Sequence, residues 1–79
     1  MTDEPVMSVD CVGLYCPQPI FQTREAVESV EVGDVVEILA DDPGAESDLK
    51  RFAKRTGHEL VSFQKMEDGV LRFLIRRKK

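Results

Sequence analysis

Asp10-Cys11-Val12-Gly13-Leu14-Tyr15-Cys16-Pro17-Gln18-Pro19-Ile20-Phe21 joins two kinds of periodicity, and the change between them decides the fold. Before it, Met7, Val9 and Cys11 alternate with Ser8 and Asp10, the period of a half-buried strand. After it, Ile20, Thr23, Ala26, Val27 and Val30 recur at core-facing helical spacing, with Arg24, Glu25 and Glu28 on other faces. Proline is excluded from helix interiors because it lacks a donor and its ring strikes the preceding turn. The first turn is the exception, since its N–H groups have no intrahelical partner. Pro17 is therefore expected at the first helical position and Pro19 at the third, with Cys16 just before them. Gly13, in the loop between strand and helix, supplies a backbone conformation that other residues resist.

A thiol is a poor hydrogen-bond acceptor, and Ser, Thr, Asp and Asn are the usual caps, so capping does not account for Cys16. A helix N-terminus carries roughly half a positive charge. A thiolate there is favoured, so the Cys16 pKa is expected to fall below the free value of about 8.5. The two prolines remove two donors and limit the effect. The bland reading, a partly buried cysteine that fills space, fits poorly with Gly13 before it and Pro-x-Pro behind it. Cys11 points inward with Met7 and Val9 and reads as a small apolar core residue. Its other reading, a resolving thiol for Cys16, needs the two Cα atoms within about 7 Å.

Outward from this stretch, Gly33 turns the chain after the first helix. Val35-Val36-Glu37-Ile38-Leu39-Ala40 comes next as a strand, apolar on both faces except at Glu37 and so central in a sheet. Asp41-Asp42-Pro43-Gly44 repeats the earlier logic, an acidic cap before a proline at a helix start. The carboxylates read as caps rather than as a metal or acid–base pair. The second helix runs to about Thr56, with Leu49, Phe52 and Ala53 inward and Lys50, Arg51, Lys54 and Arg55 outward, and Gly57 closes it. His58 reads as a cap or packing residue, with a general-base role as the alternative. Leu60 to Met66 and Val70 to Arg77 form two more strands around the Glu67-Asp68-Gly69 turn, and Arg76-Arg77-Lys78-Lys79 reads as a solvated basic end.

The order βαβαββ, with right-handed crossovers, gives an α/β two-layer sandwich: two helices on one face of a four-stranded mixed sheet, order 1-2-4-3. The first three strands are expected parallel and the fourth antiparallel. Cys16 then lies past the C-terminal end of the first strand, where open α/β sheets keep their sites. Residues 1–7 are set as a flexible N-terminal tail and residues 8–79 as a single domain.

At 79 residues the chain sits near the lower limit for unaided folding. It has no apolar run approaching the ~20 residues that span a bilayer, and residues 1–8 lack a secretory pattern. The expected location is therefore cytoplasmic, with no membrane partner. Two cysteines and one histidine, without CxxC or HxxxH spacing, suggest no zinc site, and no metal or cofactor is expected. Residues 1–48 hold twelve acids against one base, Arg24, a net of −11; residues 49–79 hold ten bases against three acids, a net of +7, recovering the overall −4. Such asymmetry steers a protein partner with complementary patches. Nucleic acid is not expected as a partner, because interleaved stacking aromatics are missing and the net charge is negative.

Asp10-x-x-Gly13-Leu14-x-Cys16-Pro17-x-Pro19, then Gly33-Asp34-Val35, Asp41-Asp42-Pro43-Gly44 and Gly57-His58, resemble in order and spacing the TusA/SirA-like sulfur carriers, over about residues 8–79. The resemblance implies the same sandwich and sheet order. It implies a carrier that accepts sulfane sulfur as a persulfide on Cys16, within a CPxP element supported by Gly13, Pro17 and Pro19, rather than an independent catalyst. It implies a cysteine desulfurase or rhodanese-like donor and a downstream sulfur-acceptor protein, in tRNA thiolation, cofactor synthesis or sulfur metabolism. It assigns Cys11 nothing. Two competing readings are a non-catalytic regulatory or RNA- or protein-binding adaptor, and a Cys11/Cys16 thiol–disulfide protein.

Overall fold

The computed structural model describes residues 4–79. Its elements are β1 (Pro5–Cys11), α1 (Gln18–Ser29), β2 (Val35–Ala40), α2 (Ala45–Thr56), β3 (Glu59–Lys65) and β4 (Leu71–Arg76). The sheet order is β1-β2-β4-β3. β1 and β2 are parallel, and β4 runs antiparallel to both β2 and β3. β1, β2 and β3 therefore point the same way, as the sequence predicts. One boundary moves: β1 begins at Pro5, so residues 5–7 of the expected tail are in the sheet, while residues 1–3 lie outside the described residues.

The helices cover one face of the sheet. Val36, Ile38 and Ala40 of β2 and Leu71, Phe73 and Ile75 of β4 meet Ala26 and Val27 of α1 and Ala45, Leu49 and Phe52 of α2. Cys11, fully buried, belongs to this cluster. Thr23 is buried too, and its hydroxyl donates to the Pro19 carbonyl at 2.7 Å, so no lone polar group enters the core. The opposite face carries a chain of polar side chains. Ser8 donates to Glu37 at 2.7 Å, and Arg72 bridges Glu37 and Gln64. These partners hold the Glu37 carboxyl below the usual carboxylate range.

The C-terminal residues are not a free basic end. Arg76 closes β4 and pairs with Glu59 at 3.3 Å. Arg77 extends the ladder through Asp34 and Gly33, and its guanidinium donates to the carbonyls of Val30 and Glu28 where α1 ends. The last turn of α1 has no basic residue of its own, so Arg77 supplies the cation that a helix C-terminus favours. The Lys78 amide donates to His58 Nδ1 at 3.1 Å, the packing role expected of that histidine. Burial, Arg77 and Lys79 together depress the His58 pKa. Since β3 runs parallel to β1, His58 at its start lies at the end of the sheet opposite Cys16, which leaves it no general-base role there.

Candidate functional site

β1 and β2 are parallel neighbours, with Cys11 opposite Ala40. The loops that leave them therefore emerge side by side at the same end of the sheet, and this juxtaposition builds the site. The loop after β1 turns at Gly13, whose φ of +88° is left-handed backbone that favours glycine. Three aspartates hold the loop. Asp10 accepts from the Val12 amide at 2.9 Å, Asp41 from the Gly13 amide at 2.9 Å, and Asp42 from the Cys16 amide at 3.0 Å. The Asp41-Asp42 pair is thus structural, as the sequence suggests, but it does not cap α2. That helix starts at Ala45 after Gly44, without a side-chain cap bond; Asp42 Oδ1 accepts from the Gly44 amide just before it at 3.3 Å, and both carboxylates also brace the neighbouring loop.

The start of α1 is displaced by one residue from the expected position. Pro17 is the residue preceding the helix, Gln18 opens it and Pro19 is buried in its first turn. Cys16 lies one position further out, exposed, and joined to Pro17 by a cis peptide bond. The expected activation by the helix terminus is not found. Pro17 and Pro19 carry no N–H, the Gln18 amide is taken by the Tyr15 carbonyl and the Ile20 amide by the Pro17 carbonyl. Those donors are spent. The nearest strong charges are carboxylates. A hydrogen bond from the thiol to Asp48 raises the Cys16 pKa first, with desolvation and the charges of Asp48 and Asp42 adding to it; Arg51 opposes them. The pKa is raised where the helix-terminus argument predicts a fall, because the Asp48 and Asp42 carboxylates outweigh a helix terminus whose donors are already taken.

Gly13, Cys16, Pro17 and Pro19 are therefore brought together in one loop and first turn, and Cys11 is separated from them in the core. Burial raises the Cys11 pKa as well. Reading the sequence missed Asp42 and Asp48 as neighbours of the thiol. The signal for Asp42 was available: two adjacent parallel strands deliver their exit loops to the same end of the sheet, one beside the other. For Asp48, six residues on, only the packing of α2 decides. Among the described residues, no group of three or more His, Cys, Asp or Glu is placed to hold a metal ion, and no helix is long and apolar enough to cross a membrane.

A two-layer α/β domain that presents one solvent-facing thiol on a braced loop at the C-terminal end of its first strand defines a class of small thiol-bearing proteins. The family model for sulfurtransferase TusA matches residues 7–77, and the chain belongs to that family. A protein of Archaeoglobus fulgidus with a sulfur-carrier name is 60% identical over 68 residues, covering 86% of this chain and 88% of its own. Sulfur carrier protein TusA of Allochromatium vinosum is 39% identical over 69 residues, covering 87% and 90%. The crystal structure of a SirA-like protein from Desulfitobacterium hafniense superposes with a TM-score of 0.82 at 25% identity, covering 94% of this chain and all of that one. The expected family and fold are thereby shown.

Proposed function

We propose that this protein is a sulfur carrier whose cargo rides on Cys16 as a persulfide. The observation that carries the reading is the exposure of Cys16 on a loop fixed by three aspartates, in a member of the TusA family. The Cys16 sulfur attacks the outer sulfur of a donor persulfide, the donor's S–S bond breaks, and the donor cysteine leaves as its thiol. The proton that Cys16 gives up is taken by the departing donor sulfur, so the exchange balances without an oxidant or reductant. Delivery is the same exchange in reverse, onto an acceptor protein's thiol. A cysteine desulfurase or rhodanese-like enzyme suits the donor role, since each presents sulfur in this form. The burial of Cys11 argues against a dithiol mechanism, because that sulfur has no path to a partner.

Intact mass after incubation with a cysteine desulfurase and cysteine tests this. The expected result is the mass of one added sulfur atom, removed by reductant, absent in Cys16→Ala and retained in Cys11→Ala. An adduct that persists in Cys16→Ala would overturn the assignment.

A further inference from the structure

The cations of this protein are sorted by location. Arg72 and Arg76 pair with carboxylates, Arg77 binds backbone carbonyls, and Lys50, Lys65 and Lys78 are in ion pairs. Arg24, Arg51, Lys54, Arg55 and Lys79, by contrast, make no ion pair among the described residues, and of these the three arginines line one cleft of about 300 Å³ between α1 and α2. Ile20 and Phe52 supply apolar walls, and Asp48, the thiol's partner, stands at its Cys16 end. Three guanidinia against one lining carboxylate make the cleft positive in a chain of net charge −4.

Resting on the carrier reading, we propose that this cleft docks an extended acidic segment of the sulfur-exchanging protein partner, and so sets which cysteine persulfide reaches Cys16. Guanidinium forks match carboxylates in geometry as well as in charge. The cleft is too small for a helix, which is about 10–12 Å across, and open enough for the side chains of an extended chain. Tyr15, 75% exposed next to Cys16 in sequence, and Phe21, 52% exposed next to Ile20, add exposed aromatic surface on the same loop and helix; a protein partner covers such surface and a free oxyanion does not.

The spacing sets a register. From Asp48 to Arg55 is seven residues of helix, about 10 Å at 1.5 Å per residue. An extended segment covers that in about three residues. The partner's carboxylates therefore fall about three residues from its reactive cysteine, and Asp48 repels any placed closer.

The test uses two synthetic peptides bearing a cysteine persulfide, one with a pair of Glu three and four residues from the cysteine, the other with Gln in their place. Loading of Cys16 is tracked by intact mass. At low salt the wild-type protein is expected to load about tenfold faster from the Glu peptide. The advantage disappears at about 0.5 M salt, where screening is nearly complete, and in the R24Q/R51Q/R55Q variant. The single R24Q variant, on the other helix, is expected to lose part of it, and the salt series needs no variant at all. Equal rates from the two peptides at low salt, or a preference that survives the triple substitution, would overturn the proposal. Binding of a tRNA that depends on the same arginines, without peptide preference, would overturn it in favour of nucleic acid. Failure of the wild-type protein to load from either peptide would instead remove the carrier reading.

Discussion

At Cys16 the contest is between a helix terminus and two carboxylates, and the carboxylates win. A shift of one pKa unit upward removes a factor of ten in thiolate and returns about a factor of three in nucleophilicity, so the free thiol is slowed rather than abolished. Asp48→Asn removes the negative charge and leaves a weaker, neutral acceptor beside the thiol. The pH midpoint for alkylation of Cys16 is expected to move down in that variant, and the rate at neutral pH to rise several-fold. An unchanged midpoint would show that Asp48 does not set the ionisation. Asp42→Asn, which can still accept from the Cys16 amide, is expected to lower the midpoint less. The exposure of this cysteine was legible in the chain, because two prolines and a glycine leave few structures open. Its electrostatics were not, since they come from side chains 26 and 32 positions away that only the folded chain brings near.

Among the elements, the strands and helices were legible wherever periodicity and glycine punctuation agreed. Gly57 closes α2 in a left-handed conformation with φ of +79°, as its position after a basic turn predicts. The start of α1 was misplaced by one residue because Pro17 is as acceptable just before a helix as at its first position. The end of α1 holds a dependency that no local pattern reveals. Arg77 donates to the Glu28 and Val30 carbonyls from nearly fifty residues away. Arg77→Ala leaves those carbonyls without their cation and is expected to cost about 1–3 kcal/mol, read as a lower urea midpoint at unchanged slope. Arg77→Lys, with one point charge in place of a planar fork, is expected to recover only part of that.

For the molecule as a whole, the sheet separates two ends. One holds the exposed Cys16, and the other holds His58 and the clamped C-terminal residues. His58 Nδ1 accepts a hydrogen bond, and its pKa is depressed, so the folded state binds its proton less readily than the unfolded chain does. Its contribution to stability is complete above the unfolded pKa of about 6.5 and is lost as pH falls through the lower folded value. Glu37, also depressed, adds a second loss at more acid pH, below the usual carboxylate range. Thermal melts between pH 7 and 5 are expected to show the first decline, and His58→Asn, which can accept without titrating in that range, to flatten it. A decline of equal slope in the variant would assign it elsewhere. The sandwich and strand order could be argued from the chain because right-handed crossovers leave few arrangements of βαβαββ. The anchoring of Arg76 and Arg77 could not, since composition alone reads the whole basic run as solvated, as Lys78 and Lys79 are.

The aspartate fence around the sulfur also bears on survival between encounters. At neutral pH fewer than about three in a hundred such thiols are ionised even without the fence, and oxidation by peroxide tracks the ionised fraction. An idle molecule is thereby shielded from irreversible damage. A thiol kept protonated between encounters is spent more slowly by small oxidants.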